Sequence, residues 1–367
     1  MIQFLNFEPM HTEIKSDMQL AFQRVYDSHW YIQGKELAEF EKLYSELNSV
    51  NHSVGVSNGL DALVLSLRVL GVGEGDEVIV PSNTYIATAI AVSQVGATPV
   101  FVEPCIDTYN LDPLLIEHAI TPKTKAIMPV HLYGQACEMD AIIKIAQKHE
   151  LFIVEDNAQG HLSSFNGKLT GTFGHVNGTS FYPGKNLGAL GDAGAITTND
   201  VELADRLRML RNYGSAKKYY NEEIGYNNRL DELQAAFLSV KLNHIQQWTA
   251  QRKEIASWYN ELLKDVEGLI LPKCHEHADH VYHLYIVRSK NRIELQNFLL
   301  ENGVQTMIHY PVPPHLQKAY DYLGYKPDDF PIAEEIADTC LSLPIWPGME
   351  KSDVEYVAAV IRALYEN

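Results

Sequence analysis

The sequence has 367 residues, of which 46% are hydrophobic and 21% are charged, and its formal net charge at pH 7 is −18. This length and composition predict a globular protein of two domains with a large core, and the acidic balance argues against nucleic acid or an anionic membrane as a partner. No apolar run reaches membrane-spanning length, no leader peptide is recognisable, and four scattered cysteines fit no metal-binding spacing, so we expect a cytoplasmic protein without a metal site.

Residues 1–50 are predicted to form a short arm followed by a helix. The arm ends in the aromatic run SHWYIQGKELAEFE around Tyr31. Apolar residues then recur at helical spacing from Leu37 to Leu47, which predicts an amphipathic helix. An aromatic run in this place is typical of a plug that packs an arm onto the body of a protein.

Between residues 52 and 200, short apolar runs typical of strands alternate with helical segments such as 60–70 and 140–149. Strands are predicted at 53–56, 77–81, 99–102, 126–130, 151–155, 179–182 and 195–198. The alternation predicts an α/β fold with a mainly parallel sheet. Ligands of such sheets bind at the carboxyl ends of the strands.

Polar residues follow several of these strands. Asn58 comes after the first strand and starts a helix, Tyr85 comes after the second, Asp156 follows the fifth, and Lys185 comes just after the sixth. We expect them to converge at one edge of the sheet. Because backbone N–H groups at a helix start bind phosphate well, the turn at Asn58 is a candidate phosphate site.

Lys185 lies in the glycine-rich stretch SFYPGKNLGALGDAGA, residues 180–195, between a strand-like approach and an apolar return. It is either a solvated lysine on a surface hairpin or an amine that holds a carbonyl cofactor as a Schiff base. Asp156 favours the second interpretation, because a carboxylate at the end of a buried strand needs a partner. A protonated pyridine nitrogen is such a partner, and pyridoxal phosphate accepts electrons only while that nitrogen stays protonated.

The C-terminal third predicts a second, smaller α/β domain. A helical stretch from 230 to 266 is interpreted as the link between the domains. After it we predict a strand at 283–287, a helix at 292–302, a strand at 304–309 and a final helix at 352–365. The predicted domains are therefore 1–250, with the arm, and 251–367.

Five segments carry a specific resemblance: SNGLDAL, PSNTYIATA, VEDNAQ, SFYPGKNLGALGDAGA and GYNNRLDELQAA. Together they resemble the nucleotide-sugar aminotransferases of the DegT family, from about residue 5 to the end of the sequence. The resemblance implies fold type I of aspartate aminotransferase, with a seven-stranded sheet in a large domain that binds pyridoxal 5′-phosphate. The lysine loop is most similar to that of enzymes that aminate C3 of a keto sugar, whereas enzymes acting at C4 more often carry a Thr-Thr-Gly-Glu run after the lysine.

The resemblance implies roles for the matching residues. Lys185 is expected to hold the cofactor and to move a proton as general base and acid, and Asp156 to keep the pyridine nitrogen protonated. Asn227 is implied to reach the cofactor phosphate of a partner subunit, so we expect a homodimer with shared active sites. The residues expected to bind the cofactor are Asn58, Gly59, Leu60, Tyr85, Asp156, Gln159, Ser180, Lys185 and Asn227. No role is transferred to His161 or Tyr213, because the sequence departs from the family pattern there.

The resemblance also implies the two substrates. L-Glutamate is the expected amino donor, and a dTDP-linked 3-keto-6-deoxyhexose is the expected acceptor, for surface polysaccharides such as O-antigen and S-layer glycan or for glycosides. Substrate contacts are expected from Tyr31, Tyr182, Tyr219, His309 and Tyr310. Other interpretations stay open, because Tyr31 also fits an aromatic plug, Tyr219 a solvated loop, and the segment IHYPVPPHL a loop that its prolines stiffen.

Three other functions stay open from the sequence alone. Transfer to C4 is distinguished only by the lysine loop. A sugar dehydratase dependent on pyridoxal phosphate is disfavoured by Lys185, because relatives that remove a hydroxyl group often carry histidine there. A non-catalytic regulator on the same fold has no use for Lys185, Asp156 and Gln159 together. Lys185→Ala is expected to leave a protein that binds the cofactor but is inactive.

Overall fold

The structure, a computed structural model, describes residues 1–366. Its largest element within that range is a sheet of seven strands, β1 (His52–Val56), β2 (Glu77–Pro81), β3 (Thr98–Val102), β4 (Thr124–Ile127), β5 (Phe152–Asp156), β6 (Val176–Ser180) and β7 (Gly194–Thr198). The strands lie in the order β1-β7-β6-β5-β4-β2-β3. Only β7 runs antiparallel to its neighbours in this described sheet. The predicted mainly parallel α/β fold is therefore confirmed.

Helices cover the sheet and connect its strands. The α-helices of the described residues are α1 (Glu8–Glu13), α2 (Lys15–Ser28), α3 (Lys35–Asn48), α4 (Gly59–Val69), α5 (Ile86–Gln94), α6 (Pro113–Ile116), α7 (Met139–Lys148), α8 (Val201–Leu210), α9 (Glu232–Leu242), α10 (Ile245–Leu263), α11 (Arg292–Glu301), α12 (Pro331–Thr339) and α13 (Lys351–Tyr365). Short 3-10 turns occur at Glu117–Ala119, Leu132–Gly134, Pro314–Leu316 and Lys318–Leu323. None of these helices is long and apolar enough to cross a membrane.

The strands are continuous apolar runs because helices pack on both faces of the sheet. In β2, successive side chains point to opposite faces, yet Val78, Ile79 and Val80 are all fully buried. Helix α4 packs on β6 and on α5 and is buried along most of its length. The sheet is therefore a rigid support, and its strand ends are held in fixed positions.

A second, antiparallel sheet lies in the C-terminal part of the chain. Its strands are β8 (Leu269–Ile270), β9 (Tyr285–Ser289) and β10 (Cys340–Leu343), with β9 in the centre. One apolar core joins this sheet to α10, α11 and α13. Two-residue and three-residue strands also form short ribbons. Ser164–Phe165 pairs with Lys168–Leu169, with Phe165 buried, and Ser215–Lys217 pairs with Tyr220–Asn221 in a largely exposed ribbon.

The predicted domain boundary at residues 250 and 251 falls inside α10. The first residue of that helix, Ile245, belongs to a core under the large sheet, whereas Ile255 and Leu263 belong to the core of the C-terminal part. The helix thus serves both cores. The division into 1–250 and 251–367 stays a prediction.

Two expectations about local structure are wrong. The stretch 230–266 is not one helix, because tight turns at Asn243 and His244 separate α9 from α10. The segment 304–309 is not a continuous strand, because it forms only isolated β-bridges to two different segments. Val304 pairs with Ile2, and Met307 pairs with Ser342. The strand β10 provides that second partner and was not apparent from the sequence.

Candidate active site

The ends of two adjacent parallel strands bring the two expected catalytic residues together. Asp156 is the last residue of β5 and lies in register with Gly178 of β6. The loop that carries Lys185 begins directly after β6. The charge of Lys185 lowers the pKa of Asp156, and the charge of Asp156 raises the pKa of Lys185, because the two side chains lie near each other.

The lysine loop is a tight turn that glycine makes possible. The Lys185 N–H donates to the carbonyl of Tyr182 at 2.8 Å. At Gly188, a Cβ atom would lie 2.2 Å from the carbonyl oxygen of Pro183, so no other residue fits there. The backbone around Lys185 is thereby fixed.

Helix α9 anchors the far side of this loop. The buried Lys241 amine donates to the carbonyl of Gly188 at 2.6 Å, and the Gln234 side chain accepts the N–H of Leu190 at 2.9 Å. Sequence reasoning did not find either anchor, because both depend on contacts between residues far apart in the chain. The loop is therefore held both by its own backbone hydrogen bond and by side chains of α9.

The Lys185 amine is half-buried and makes no hydrogen bond within residues 1–366. Burial lowers the pKa of Lys185 from 10.5 to about 8, and the nearby Asp156 carboxylate opposes this shift. A lowered pKa gives a larger fraction of neutral amine near pH 7 to 8. Neutral amine is the form that attacks a carbonyl group or accepts a proton.

Asp156 is a buried carboxylate that accepts only two hydrogen bonds, both from neutral donors, within residues 1–366. One oxygen accepts the hydroxyl of Thr88 at 2.8 Å, and the other accepts the N–H of Ala158 at 3.1 Å. Burial raises the pKa of Asp156, while these two hydrogen bonds and the charge of Lys185 lower it. A cationic N–H group placed against this carboxylate would supply the missing partner.

The preceding residue points its carboxylate to a different network. Glu155 accepts the ring N–H of His131 at 2.8 Å, and both side chains are fully buried. Glu155 also accepts the backbone N–H groups of Gly171, Phe173 and Gly174. This network is complete within the protein and holds the end of β5 in place, so it leaves Asp156 as the carboxylate that needs a partner.

Gln159, Tyr310 and Tyr85 form a connected group beside Asp156. The Gln159 side-chain oxygen accepts the N–H of Tyr133 at 2.6 Å, and its amide nitrogen donates to the hydroxyl of Tyr310 at 3.1 Å. The rings of Tyr310 and Tyr85 have their centroids 5.1 Å apart at 38°. Tyr85 remains half exposed, so one face of its ring is available to a flat ligand.

The charge of Lys185 acts on three histidines. Burial and the charge of Lys185 lower the pKa of His161 to about 3 and the pKa of His309 to about 4, and they lower the pKa of His283 well below its usual value. All three rings are therefore neutral at pH 7. The site therefore contains neutral histidines together with one amine. Of these three histidines, the sequence predicted only His309 as a site residue.

Two of these rings are fixed by hydrogen bonds. The Nδ1 atom of His309 is 2.7 Å from the hydroxyl of Ser342. The Nε2–H of His161 donates to the carbonyl of Ser180 at 3.0 Å, while its Nδ1 is buried without a partner in the described residues. A buried nitrogen without a partner marks a place where a polar ligand atom would be favourable.

The start of α4 forms an anion site. The Asn58 side chain accepts the N–H of Asp61 at 2.9 Å, which leaves the first N–H groups of the helix, at Gly59 and Leu60, without an acceptor within residues 1–366. A Cβ atom on Gly59 would lie 2.6 Å from the Cβ of Ser180, so only glycine keeps the space beside Ser180 open. Helix N-termini of this kind bind phosphate.

These residues fit pyridoxal phosphate. Lys185 offers an amine with a lowered pKa, Asp156 offers an uncompensated carboxylate for a ring N–H, and the N–H groups at Gly59 and Leu60 offer a phosphate cradle. The half-exposed ring of Tyr85 offers a stacking surface. The set defines a site for an enzyme that depends on this cofactor.

Four other predicted residues have exposed side chains. The side chains of Tyr31, Tyr219 and Asn227 make no hydrogen bond or ring contact with the cluster around Lys185 within residues 1–366. Tyr31 is 51% exposed and lies beside the start of α9, and Tyr219 is 85% exposed at the tip of the ribbon from Ser215. Tyr182 lies in the lysine loop and is 60% exposed. The roles of these residues stay predictions.

Comparison with known proteins agrees with the site. Residues 12–362 match the DegT/DnrJ/EryC1/StrS aminotransferase family. The dTDP-3-amino-3,6-dideoxy-alpha-D-galactopyranose transaminase of Aneurinibacillus thermoaerophilus is 52% identical over 98% of this chain and 99% of its own. The erythromycin biosynthesis sensory transduction protein EryC1 of Saccharopolyspora erythraea is 50% identical over 99% of both chains. The crystal structure of S. venezuelae DesV in complex with a ketimine intermediate has a TM-score of 0.98 at 47% identity, over 100% of this chain and 99% of that chain.

The fold is that of an aminotransferase of fold type I. The chain belongs to the DegT/DnrJ/EryC1/StrS aminotransferase family, and its cofactor is pyridoxal 5′-phosphate. The resemblance inferred from the five sequence segments is thereby confirmed, as are the predicted fold class and cofactor.

Proposed function

We propose that this protein transfers the amino group of L-glutamate to C3 of a dTDP-linked 3-keto-6-deoxyhexose. The observation that carries the proposal is the 52% identity, over nearly the whole chain, to a transaminase named for dTDP-3-amino-3,6-dideoxy-alpha-D-galactopyranose. The lysine loop, which resembles that of enzymes acting at C3, supports the same position. The product amine would serve the synthesis of surface polysaccharides or glycosides.

Lys185 and Asp156 perform the proton chemistry in this proposal. The bound cofactor supplies a carbonyl group that takes up the amino group and a ring that accepts electrons. Lys185 would move a proton from the α-carbon of the donor to the cofactor carbon that takes up the amino group. In the sugar half-reaction it would move a proton from that carbon to C3 of the sugar, and its pKa of about 8 suits both transfers. Asp156 holds the ring N–H, and the N–H groups of Gly59 and Leu60 with the hydroxyl of Ser180 hold the phosphate.

The remaining cofactor contacts follow from the same arrangement. Tyr85 stacks on the ring through its exposed face, and Gln159 presents an amide N–H towards the ring hydroxyl. Asn58 shapes the start of α4, which holds the phosphate. Asn227 of the partner subunit completes the phosphate site, which its exposed and unpaired side chain in the described chain supports.

The sugar is received on the open side of Lys185. We assign His309, Tyr310 and Tyr182 to the sugar. The charge of Lys185 lowers the pKa of His309, and the ring of Tyr310 packs against that of His309. Tyr182 is exposed in the lysine loop. Tyr31 and Tyr219 are assigned to the substrate of the partner subunit's site. The protein then acts as a homodimer with shared active sites. Its four cysteines are free, which agrees with a cytoplasmic enzyme.

A second function is favoured by one observation, since EryC1, at 50% identity, is named a sensory transduction protein. A regulator would not need an amine with a lowered pKa beside an uncompensated buried carboxylate. Both features destabilise the protein unless a ligand uses them. Lys185 likewise disfavours a dehydratase, and C4 transfer lacks support from the lysine loop.

The test is a visible spectrum of the purified protein before and after addition of L-glutamate alone. We expect a yellow protein that bleaches with glutamate and then aminates a dTDP-linked 3-keto-6-deoxyhexose but not the 4-keto isomer. Lys185→Ala is the matched control, and it should bind the cofactor without bleaching or transfer. A colourless protein that cannot be reconstituted with the cofactor would support the regulator. Transfer to the 4-keto sugar alone would contradict the assignment to C3.

A further inference from the structure

Tyr133 lies where the large sheet meets the C-terminal part of the molecule. It belongs to the short turn Leu132–Gly134 that follows β4, is buried, and has backbone angles φ 59° and ψ 2°. This left-handed conformation is unfavourable for a bulky residue and persists only where surrounding contacts impose it. The backbone and side-chain contacts of Tyr133 therefore hold it in this conformation.

The backbone groups of Tyr133 are both used. Its N–H donates to the side-chain oxygen of Gln159 at 2.6 Å, and its carbonyl accepts the N–H of Leu284 at 3.2 Å. Because the Gln159 oxygen is occupied, its amide nitrogen is the end that faces Tyr310, to whose hydroxyl it donates at 3.1 Å. The unusual backbone of Tyr133 thus decides which end of the Gln159 amide points into the active site.

The side chain of Tyr133 holds a second element. Its hydroxyl donates to the carbonyl of His309, and the thiol of Cys340 approaches the same carbonyl at 3.5 Å. That carbonyl belongs to the peptide that joins His309 to Tyr310. The Tyr310 ring in turn lies 5.1 Å from the ring of Tyr85. One buried hydroxyl therefore fixes the segment that carries His309, whose pKa the charge of Lys185 lowers, and Tyr310, whose ring packs against Tyr85.

We propose that Tyr133 is a positioning residue for the sugar half of the reaction. Its hydroxyl fixes His309 and Tyr310 in the arrangement that receives the keto sugar, without touching the sugar itself. This inference rests on the proposed function, which assigns His309 and Tyr310 to the sugar. The donor half-reaction uses Lys185 and Asp156, and Tyr133 is hydrogen-bonded to neither of them within residues 1–366.

The first experiment separates the two half-reactions of Tyr133→Phe, which removes only the hydroxyl. We expect bleaching by L-glutamate to stay within about twofold of the wild type, because Lys185 and Asp156 are untouched. Amination of the dTDP-linked 3-keto-6-deoxyhexose should lose about tenfold in kcat/KM, through a higher KM, because the rings that bind the sugar are no longer held.

The matched control is Tyr259→Phe. Tyr259 is also fully buried, and its hydroxyl donates to a backbone carbonyl, that of Pro344, at 3.0 Å in the core of the C-terminal part. This variant loses a comparable hydrogen bond away from Lys185. It should lower the thermal stability as Tyr133→Phe does and leave both half-reactions unchanged.

The second experiment needs no substrate. Burial beside Lys185 lowers the pKa of His309 to about 4. In the cofactor-free protein, nuclear magnetic resonance of labelled histidine, assigned with His309→Gln, follows this titration. Release of the segment in Tyr133→Phe should admit water and raise the pKa of His309, whereas Tyr259→Phe should leave it unchanged.

The proposal is overturned if Tyr133→Phe impairs both half-reactions equally, leaves the sugar half-reaction unchanged, or leaves the His309 titration where it is in the wild type. A wild-type protein that bleaches with glutamate but aminates no 3-keto sugar contradicts the proposed function instead. In that case the His309 titration still decides whether Tyr133 holds the segment.

Discussion

The Lys185 amine should destabilise the cofactor-free protein at neutral pH. Its pKa is lowered from 10.5 to about 8, so the charged form is disfavoured in the folded state. Below pH 8 the amine is charged in both states, and the folded state carries the full cost of at most about 3 kcal/mol. As pH rises from 8 to 10.5 the folded protein loses its proton before the unfolded chain does, and this cost disappears.

Lys185→Met removes the ionisable group and keeps a flexible side chain of similar length. Between pH 7 and pH 10, we expect the stability of the wild type to rise relative to this variant by about 2 to 3 kcal/mol. The measurement is urea unfolding of both cofactor-free proteins across this range. Groups that do not interact with Lys185 contribute equally to both proteins and cancel in the difference.

Two further variants check the cause of this pH dependence. Lys241→Met should show the same direction, because burial also lowers the pKa of Lys241 to about 8. Gln234→Met disturbs the lysine loop, since its side chain accepts the N–H of Leu190, but it removes no ionisable group and should show no such slope. A difference between wild type and Lys185→Met that is constant from pH 7 to pH 10, or that falls, would refute the reasoning.

Three further outcomes follow from the geometry of the site. Asp156→Asn should raise the urea midpoint of the cofactor-free protein at pH 7, because burial raises the pKa of Asp156 and makes its charged form costly. The rate of amino transfer should fall by about 10² or more. A lower urea midpoint would contradict this expectation. Thr88→Val removes a hydrogen bond to the Asp156 carboxylate worth about 1.5 to 3 kcal/mol, so the turnover number should fall about tenfold or more with the cofactor still bound; unchanged turnover would count against it. Gly59→Ala places a Cβ atom 2.6 Å from that of Ser180 and should weaken cofactor binding about tenfold or more in equilibrium dialysis. Gly73→Ala, where a Cβ atom meets its nearest neighbour at 3.6 Å, is the control and should bind the cofactor normally.

The sheet could be predicted because its strands are buried on both faces and therefore read as apolar runs. The sixth strand was, together with the fourth, the least accurate; it was predicted at 179–182 and observed at Val176–Ser180. It contains Asn177, a residue unfavourable in strands, whose buried amide donates to Gly171 and Thr197. Those partners lie elsewhere in the chain, so the sequence of the strand alone did not reveal it.

The active site was predictable only in part, for a physical reason. Lys185 and Asp156 are conspicuous in the sequence because each is a charged residue next to an apolar strand. A buried charge costs stability unless a partner or a ligand interacts with it. Thr88, Tyr133 and His283 are ordinary residue types whose importance comes only from what they contact. A buried threonine one helical turn beyond Tyr85 was the one available signal, since helix α5 starts at the same strand end as the cofactor site.

Some of the predictions that remain untested depend on a second copy of the chain. Tyr219 and Asn227 lie on exposed segments, and their side chains have no contact with the cluster around Lys185 in the described residues. Their sequence context predicts a role through the family resemblance alone. The spectrum of the loaded protein does not test them, but mixing subunits that carry Lys185→Ala with subunits that carry Asn227→Ala does.

The site as a whole concentrates unfavourable groups that a cofactor would relieve. The Lys185 amine has no hydrogen bond in residues 1–366, the Asp156 carboxylate is buried with two neutral donors, and the Nδ1 of His161 is buried without a partner there. Each group costs stability in the cofactor-free protein. A ligand with a carbonyl group, a cationic ring N–H and a phosphate relieves the first two and fills the cradle at Gly59. Cofactor binding should therefore stabilise the fold strongly, and this coupling is the reason that the chain can keep such a costly arrangement.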